Sequence, residues 1–417
     1  MQRGIQKEKM IFLILSAILL SISTPISIAL DNIAIGIGLL GLILIYKKLK
    51  LSDLDFRVLG VSVVGTVSSL LSIKPLHSFE NAHYLWHFLP YFITSRIKRE
   101  KIPVNLVILG IFGAISSFAV IFESLTGVNP KHINSLSSIH FLSHPVRAEG
   151  FFNTPLTTAG VISVIFLIFF GLLIFAKERK FRIYSFFISI IMFLGLLFTF
   201  TRSYWVGSMA AFFLLPVINL KSKIARIVPL SVIFVAYILY LSIPSVHNRV
   251  QTIIHYKQNV SAMDRIVLWE SGFDLYKHYN IKNKLIGCGS GNLLHFLKPH
   301  LIKRIKKVFG EKAINSHIFS AVHNEYLQIL LKWGIIGLVV WLYLWIYVLY
   351  RNIVFIIETD NEFYKALIIG ITMGFVAFLV GGFFEHNVGD AEVIIFIMYL
   401  LGINQNIVGG EKNEVLS

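Results

Sequence analysis

Charge and cysteine are what this 417-residue sequence has least of. Charged residues make up 14% of it against 56% hydrophobic residues, and so few polar side chains cannot cover a soluble globule of this size. The single cysteine, Cys288, excludes an intrachain disulfide framework and any multi-cysteine metal site. No Walker-type phosphate loop and no HExxH pair occurs, so nothing points to an ATPase or a zinc protease; neither metal nor cofactor is expected. Short alternating segments, the mark of a membrane β-barrel, are missing too: VISVIFLIFFGLLIF (161–175) is apolar without alternation. The class left is an all-α integral membrane protein.

Apolar runs of spanning length follow one another with short polar breaks, and roughly twelve membrane helices are expected. They fall near 10–30, 32–46, 56–73, 83–97, 102–122, 156–176, 182–200, 204–219, 224–243, 325–350, 362–384 and 391–408. The first run is long, lacks a convincing cleavage site and is followed at once by another, so it is taken as a span rather than a secretory signal.

The basic residues sort by connection. Arg3, Lys7 and Lys9 precede the first run. Lys47, Lys48, Lys50 and Arg57, then Arg96, Lys98, Arg99 and Lys101, then Lys177, Arg179, Lys180 and Arg182, then Lys221, Lys223 and Arg226 occupy alternate connections. Those connections share one side, which the positive-inside rule makes cytoplasmic, with both termini on it. A net charge of +16 would suggest nucleic acid in a soluble protein; here it reports orientation, and no nucleic-acid partner is expected. The outer side then carries two long segments, about 123–155 and 244–322. The chain divides into 1–122 (five spans), 123–243 (outer loop and four spans), 244–322 (the long outer loop) and 323–417 (three spans and an inner tail).

The 244–322 loop has many more lysines and arginines than carboxylates, which asks for an anionic partner, phosphate above all. Two amphipathic helices are expected in it. SAMDRIVLWESGFDLYKHY opens with Ser261 and Asp264 at capping-box spacing and puts Ile266, Trp269, Phe273 and Tyr276 on one face. KPHLIKRIKKVF starts with Pro299 in a first turn and puts Leu301, Ile302, Ile305, Val308 and Phe309 on one face, with Lys303, Arg304, Lys306 and Lys307 off it. Such a helix suits the interface of an anionic leaflet. Simple anchoring to lipid head groups would satisfy the same cations.

Polar residues cluster where the outer segments meet the spans. His323 and Asn324 stand at the N-terminus of the tenth run, where free N–H groups and the helix dipole favour an anion and an unprotonated imidazole able to accept a proton. Asn324 is a natural N-cap. With 14 histidines in the chain, His323 could equally be an ordinary interfacial residue. Arg202, in TRSYW between the seventh and eighth runs, is costly at the membrane boundary unless paired. Arg147 leads into the sixth run and Arg265 starts the first loop helix; guanidinium forks suit bidentate phosphate binding. Glu385, His386 and Asp390 are the expected counter-charges. Asp53-Leu54-Asp55 has the form of a nucleotide-sugar motif but lies in a short inner connection away from every other candidate, and GCGSGN (287–292) follows no strand and reads as a turn.

Histidine, a small polar residue, nine residues, glycine, two residues and a second glycine are met by His323, Asn324, Gly334 and Gly337. Together with RAEGFFNTP, FTFTRSYW, DRIVLW and LIGCGSGN, in that order, this pattern resembles O-antigen ligases and the related O-antigen polymerases over about 120–410. The resemblance implies a metal-independent, inverting glycosyltransferase of the membrane-embedded GT-C type. Its donor would be a glycan on undecaprenyl diphosphate and its acceptor a sugar hydroxyl of lipid A–core, at the periplasmic face of the bacterial inner membrane. By the same resemblance His323 would be the base, Arg202, Arg265 and Arg147 would hold the donor diphosphate, Asn324 and Glu385 would support them, and Lys303, Arg304, Lys306 and Lys307 would meet acceptor or lipid phosphates. A polymerase, a protein oligosaccharyltransferase and a secondary transporter remain alternatives, although a transporter should show repeat symmetry and ionisable residues at mid-membrane.

Overall fold

Backbone N–H and C=O groups in hydrocarbon must bond within their own segment, and the long apolar runs accordingly become helices. The computed structural model describes residues 2–132, 139–219, 222–319 and 321–414; Lys221 and the side chains of Arg3, Lys7, Lys9 and Lys48 lie outside the described residues. In chain order the helices are α1 (Gln2–Ser23), α2 (Ile28–Ile45), α3 (Asp53–Leu70), α4 (Pro75–Glu80), α5 (Tyr84–His87), α6 (Leu89–Thr94), α7 (Ile102–Thr126), α8 (Pro155–Phe175) and α9 (Arg179–Phe198). There follow α10 (Arg202–Ile218), α11 (Lys223–Ser242), α12 (Pro244–Ile254), α13 (Val260–His278), α14 (Ile281–Ile286), α15 (Leu293–Phe309), α16 (Glu325–Glu358), α17 (Glu362–Gly381) and α18 (Ala391–Glu414). No strand occurs among the described residues.

The chain is an all-α, multi-pass membrane protein. Among the described residues eight helices are long and apolar enough to cross a membrane, and the apolar stretches Met10–Ser23 and Arg202–Ile218 are shorter. Of the twelve expected runs the other two are 56–73 and 83–97. The first is a single helix, α3, whose start carries Asp53, Asp55 and Arg57. The second departs from expectation, being broken into α5 and α6, with Pro90 near the start of α6. Proline removes a helical donor, and α6 instead leans on α18, where Thr94 Oγ1 donates to the Tyr399 carbonyl at 2.9 Å.

Buried α8 forms the middle of the bundle. It meets α17 so closely that a Cβ on Gly171 would lie 2.6 Å from the Gly370 Cα, the small-residue contact that lets membrane helices approach. Two ends of the bundle can be followed along α3 and α16. Asp55 on α3 pairs with Arg96 at 2.8 Å, while Ser68, toward the other end of the same helix, donates to the Lys332 carbonyl at 2.7 Å. Arg351 on α16 lies with Arg96 and Arg99 around a cavity of about 650 Å³; Glu325, at the other end of α16, bonds to the turn after α17 through Gly382, His386 and Val388.

Those loop helices build a core of their own. Val267, Leu268, Leu275, Leu293, Leu297, Leu301 and Ile305 pack with Leu327 and Leu331 from the first turns of α16. The expected face of α15 holds at Leu301 and Ile305, with Phe309 packed beside them, but it meets protein, and the expected face of α13 is shifted. On α13 the buried positions are Val267, Leu268, Ser271, Gly272 and Leu275, and Phe273 is 53% exposed. Its N-cap is Asn259, which accepts from the Ala262 N–H at 3.0 Å, whereas Asp264 is bound to His317 at 2.6 Å. Helix α15 begins at Leu293, so Pro299 sits within it. The row Leu293, Leu297, Leu301, Ile305 faces protein rather than a leaflet, because this i, i+4 row extends upstream of the segment read as the helix.

Candidate active site

The site grows out of three junctions at the loop end of the bundle. At the first, Glu123 at the end of α7 accepts from the Glu149 and Gly150 N–H groups at 3.2 and 2.7 Å. Gly150 takes a left-handed φ of 64° there, and the turn fixes the strand of chain that carries Arg147. At the second, α10 opens with Arg202 just after Phe200, whose φ is 48°. At the third, α16 opens after His323, whose φ is 47°. Among the described residues, these are the two non-glycine positions with a left-handed backbone, a costly conformation that persists where surrounding structure imposes it.

Asn324 caps α16, its Oδ1 accepting from the Leu327 N–H at 3.0 Å. Its Nδ2 donates to the Phe383 carbonyl at 3.0 Å, and the Glu325 N–H donates to the Gly382 carbonyl at 2.7 Å. These bonds stitch the start of α16 to the turn after α17, which delivers Glu385. Only 4% exposed, Glu385 is the meeting point. Its Oε1 accepts from Arg265 Nη2 at 2.7 Å and from Ser203 Oγ at 3.2 Å, and its Oε2 lies 3.4 Å from His323 Nδ1. The His323 carbonyl in turn accepts from Trp269 Nε1 at 3.3 Å.

Beside this carboxylate lies a cavity of about 390 Å³ walled by α10, α12 and α13, whose lining includes Arg147, Arg202, Arg249, Arg265 and Glu385. Four guanidinium groups face one carboxylate there, a formal excess of three positive charges. Arg202 is held by neutral oxygens, donating through Nη1 to Thr252 Oγ1 and the Thr252 carbonyl at 2.7 and 3.1 Å. Burial, followed by the fields of Arg249, Arg265 and Arg202, pushes the Arg147 guanidinium down to about 10, with Glu385 opposing; burial also lowers Arg249. Both stay charged at neutral pH, and the cavity is an anion-attracting concavity with apolar walls at Leu156, Val206 and Ile253.

The structure thus brings together Arg147, Arg202, Arg265, Glu385, His323 and Asn324. Two expected counter-charges lie elsewhere: His386 Nδ1 is 3.1 Å from Glu325 Oε2, and Asp390 accepts from Thr157 Oγ1 at 2.6 Å. The basic stretch of α15 is also less free than expected, since Arg304 pairs with Glu270 at 2.5 Å and Lys306 with Glu311 at 2.6 Å. Arg249 went unrecognised as a site residue among many loop cations; its signal was that it follows shortly after a span. Glu325 and Lys332, which meet His386 here, were likewise unread, although they are seven residues apart on one helix and so share a face.

Gly334 breaks α16, with φ 70° and ψ −172°. A Cβ there would lie 2.2 Å from the Leu285 carbonyl oxygen, and one on Gly287 would lie 2.1 Å from that of Lys332. The broken helix leaves carbonyls without helical partners, and the GCGSGN turn takes them: Cys288 N–H donates to Leu331 at 3.1 Å and Gly289 N–H to Lys332 at 3.0 Å. GCGSGN is thus a turn docked on the break.

Fold and site together define a polytopic membrane protein with an anion-attracting chamber beside a histidine–carboxylate pair. Residues 187–342, which hold Arg202, Arg249, Arg265, His323, Gly334 and Gly337, match the family model described as O-antigen ligase. That match covers part of the chain and supports a relation to the superfamily of O-antigen ligases and polymerases, which are membrane glycosyltransferase-like enzymes. No curated protein matches the chain.

Proposed function

We propose that the protein is an O-antigen ligase, moving a glycan from undecaprenyl diphosphate to a sugar hydroxyl of lipid A–core at the periplasmic face of the bacterial inner membrane, with both termini cytoplasmic. The observation that carries this reading is the excess of guanidinium charge beside His323. The donor diphosphate would sit among Arg147, Arg202, Arg249 and Arg265, its lipid chain leaving along Leu156, Val206 and Ile253. With His323 Nδ1 turned to Glu385, Nε2 is the atom left to take a proton, the tautomer a carboxylate partner selects. The acceptor hydroxyl gives its proton to Nε2 as its oxygen attacks the anomeric carbon. The bond from that carbon to the diphosphate oxygen breaks with its electron pair on the oxygen, where preorganised arginines stabilise the growing charge. Attack opposite the leaving group inverts the anomeric configuration.

Loss of the gene tests the assignment. A ligase-null cell is expected to accumulate full-length glycan on undecaprenyl diphosphate with bare lipid A–core. A lipopolysaccharide gel showing core decorated with one repeat unit would replace the ligase reading with the polymerase one.

A further inference from the structure

At the end of the bundle opposite the arginine chamber, we propose a second binding site, for the phosphate head group of an anionic phospholipid. The inference does not rest on the transferase reading. A cavity of about 650 Å³ lies between the start of α3, the connection from α6 to α7, the later part of α16 and the end of α18. Lys50, Arg96, Arg99 and Arg351 line it against Asp53 and Asp55, an excess of two positive charges among the described residues. Asp55 is already taken by Arg96 through a two-pronged bond of 2.9 and 2.8 Å. Arg351 donates to Gln405 Oε1 at 2.9 Å and to the Val408 carbonyl at 3.2 Å. These neutral oxygens orient a guanidinium without cancelling its charge, and two bonds leave part of its donor capacity unused.

The neighbourhood gives the level and the class of ligand. Arg57 stacks on the Tyr347 ring at 3.6 Å and on Tyr343 at 5.1 Å, and Tyr46, Tyr343 and Tyr350 are exposed. Exposed tyrosine mixed with arginine marks the depth of lipid head groups. A basic recess between spans at that depth fits a phosphodiester whose acyl chains run down the helices, the arrangement by which such recesses hold anionic lipids. A soluble phosphate would have no use for the tyrosine rim.

The test uses the full chain reconstituted in nanodiscs of phosphatidylcholine with or without phosphatidylglycerol, read by native mass spectrometry and by thermal unfolding. The wild type is expected to retain phosphatidylglycerol and to gain stability from it. Lys50→Gln changes an exposed side chain and should weaken retention about fivefold, with a further loss of about fivefold on adding Arg351→Gln. Arg202→Lys, at the other end, should retain the lipid normally. Undiminished retention in Lys50→Gln overturns the site even if the double variant fails to fold. Equal stabilisation by inorganic phosphate in pure phosphatidylcholine overturns the lipid as its ligand.

Discussion

Two buried arginine–carboxylate pairs hold the two ends of this bundle, and they are built differently. Arg96 grips Asp55 through two nitrogens on its two carboxylate oxygens, and Asp55 also closes the capping box of α3 by accepting from the Ser52 N–H. Arg265 holds only one oxygen of Glu385; Ser203 shares that oxygen and His323 stands at the other. In the first pair the carboxylate is consumed by structure. In the second it is distributed among three partners, and the arginines beyond it are left with neutral acceptors or with each other. A carboxylate divided in this way orients a base and steadies an arginine while leaving positive charge for an incoming anion.

Five substitutions sharpen or break this contrast, taken from the largest expected effect on transfer to the smallest. His323→Ala should lower turnover by about 100-fold or more, the usual loss of a general base, while donor binding measured on purified protein persists; near wild-type turnover would remove His323 from the chemistry. Arg202→Lys and Arg265→Lys keep charge but lose the planar fork, and each should cost about tenfold in donor affinity and in turnover. Full activity with lysine at both positions would mean that charge alone suffices. Arg304→Gln removes a partly exposed pair with Glu270, worth about 0.2–1 kcal/mol, and should change transfer less than about twofold. Asp55→Asn is the counterpart of the first three: it strands Arg96 and should cost about 3–5 kcal/mol of stability, yet leave turnover per folded molecule unchanged. Loss of activity in folded Asp55→Asn would erase the distinction between the two pairs.

The spans were legible because a run of some twenty apolar residues has few alternatives to a membrane helix. Asn324 was legible as a cap because its residue type and its place before an apolar run coincide. Arg147 and Arg202 could be selected as arginines beside span ends and Arg265 as one at the start of a loop helix, but not their sharing of a cavity, since that depends on how α10, α12 and α13 lean together. Arg249 was hidden by its many cationic neighbours. The face of α13 was misjudged, and that of α15 given to a leaflet, for a different reason: part of what covers them, Leu327 and Leu331, lies past the loop in a helix already assigned to the membrane. The break at 84–94 followed from Pro90 and tertiary packing on α18, which outweighed an apolar composition.

The Lys332 carbonyl receives Ser68 from α3 and Gly289 from the loop turn, so three stretches far apart in sequence meet at one oxygen. During synthesis the chain is made from its N-terminus, and residue 289 is in place more than forty residues before the acceptor it needs. The loop core therefore cannot close on its own product; it waits for the first turns of α16, which bring His323, Leu327 and Leu331 with them. The base arrives with that segment, and Glu385, which binds it and Arg265, follows only after α17; a chain that ends short of Gly334 carries its arginines without the segments that lock them in place.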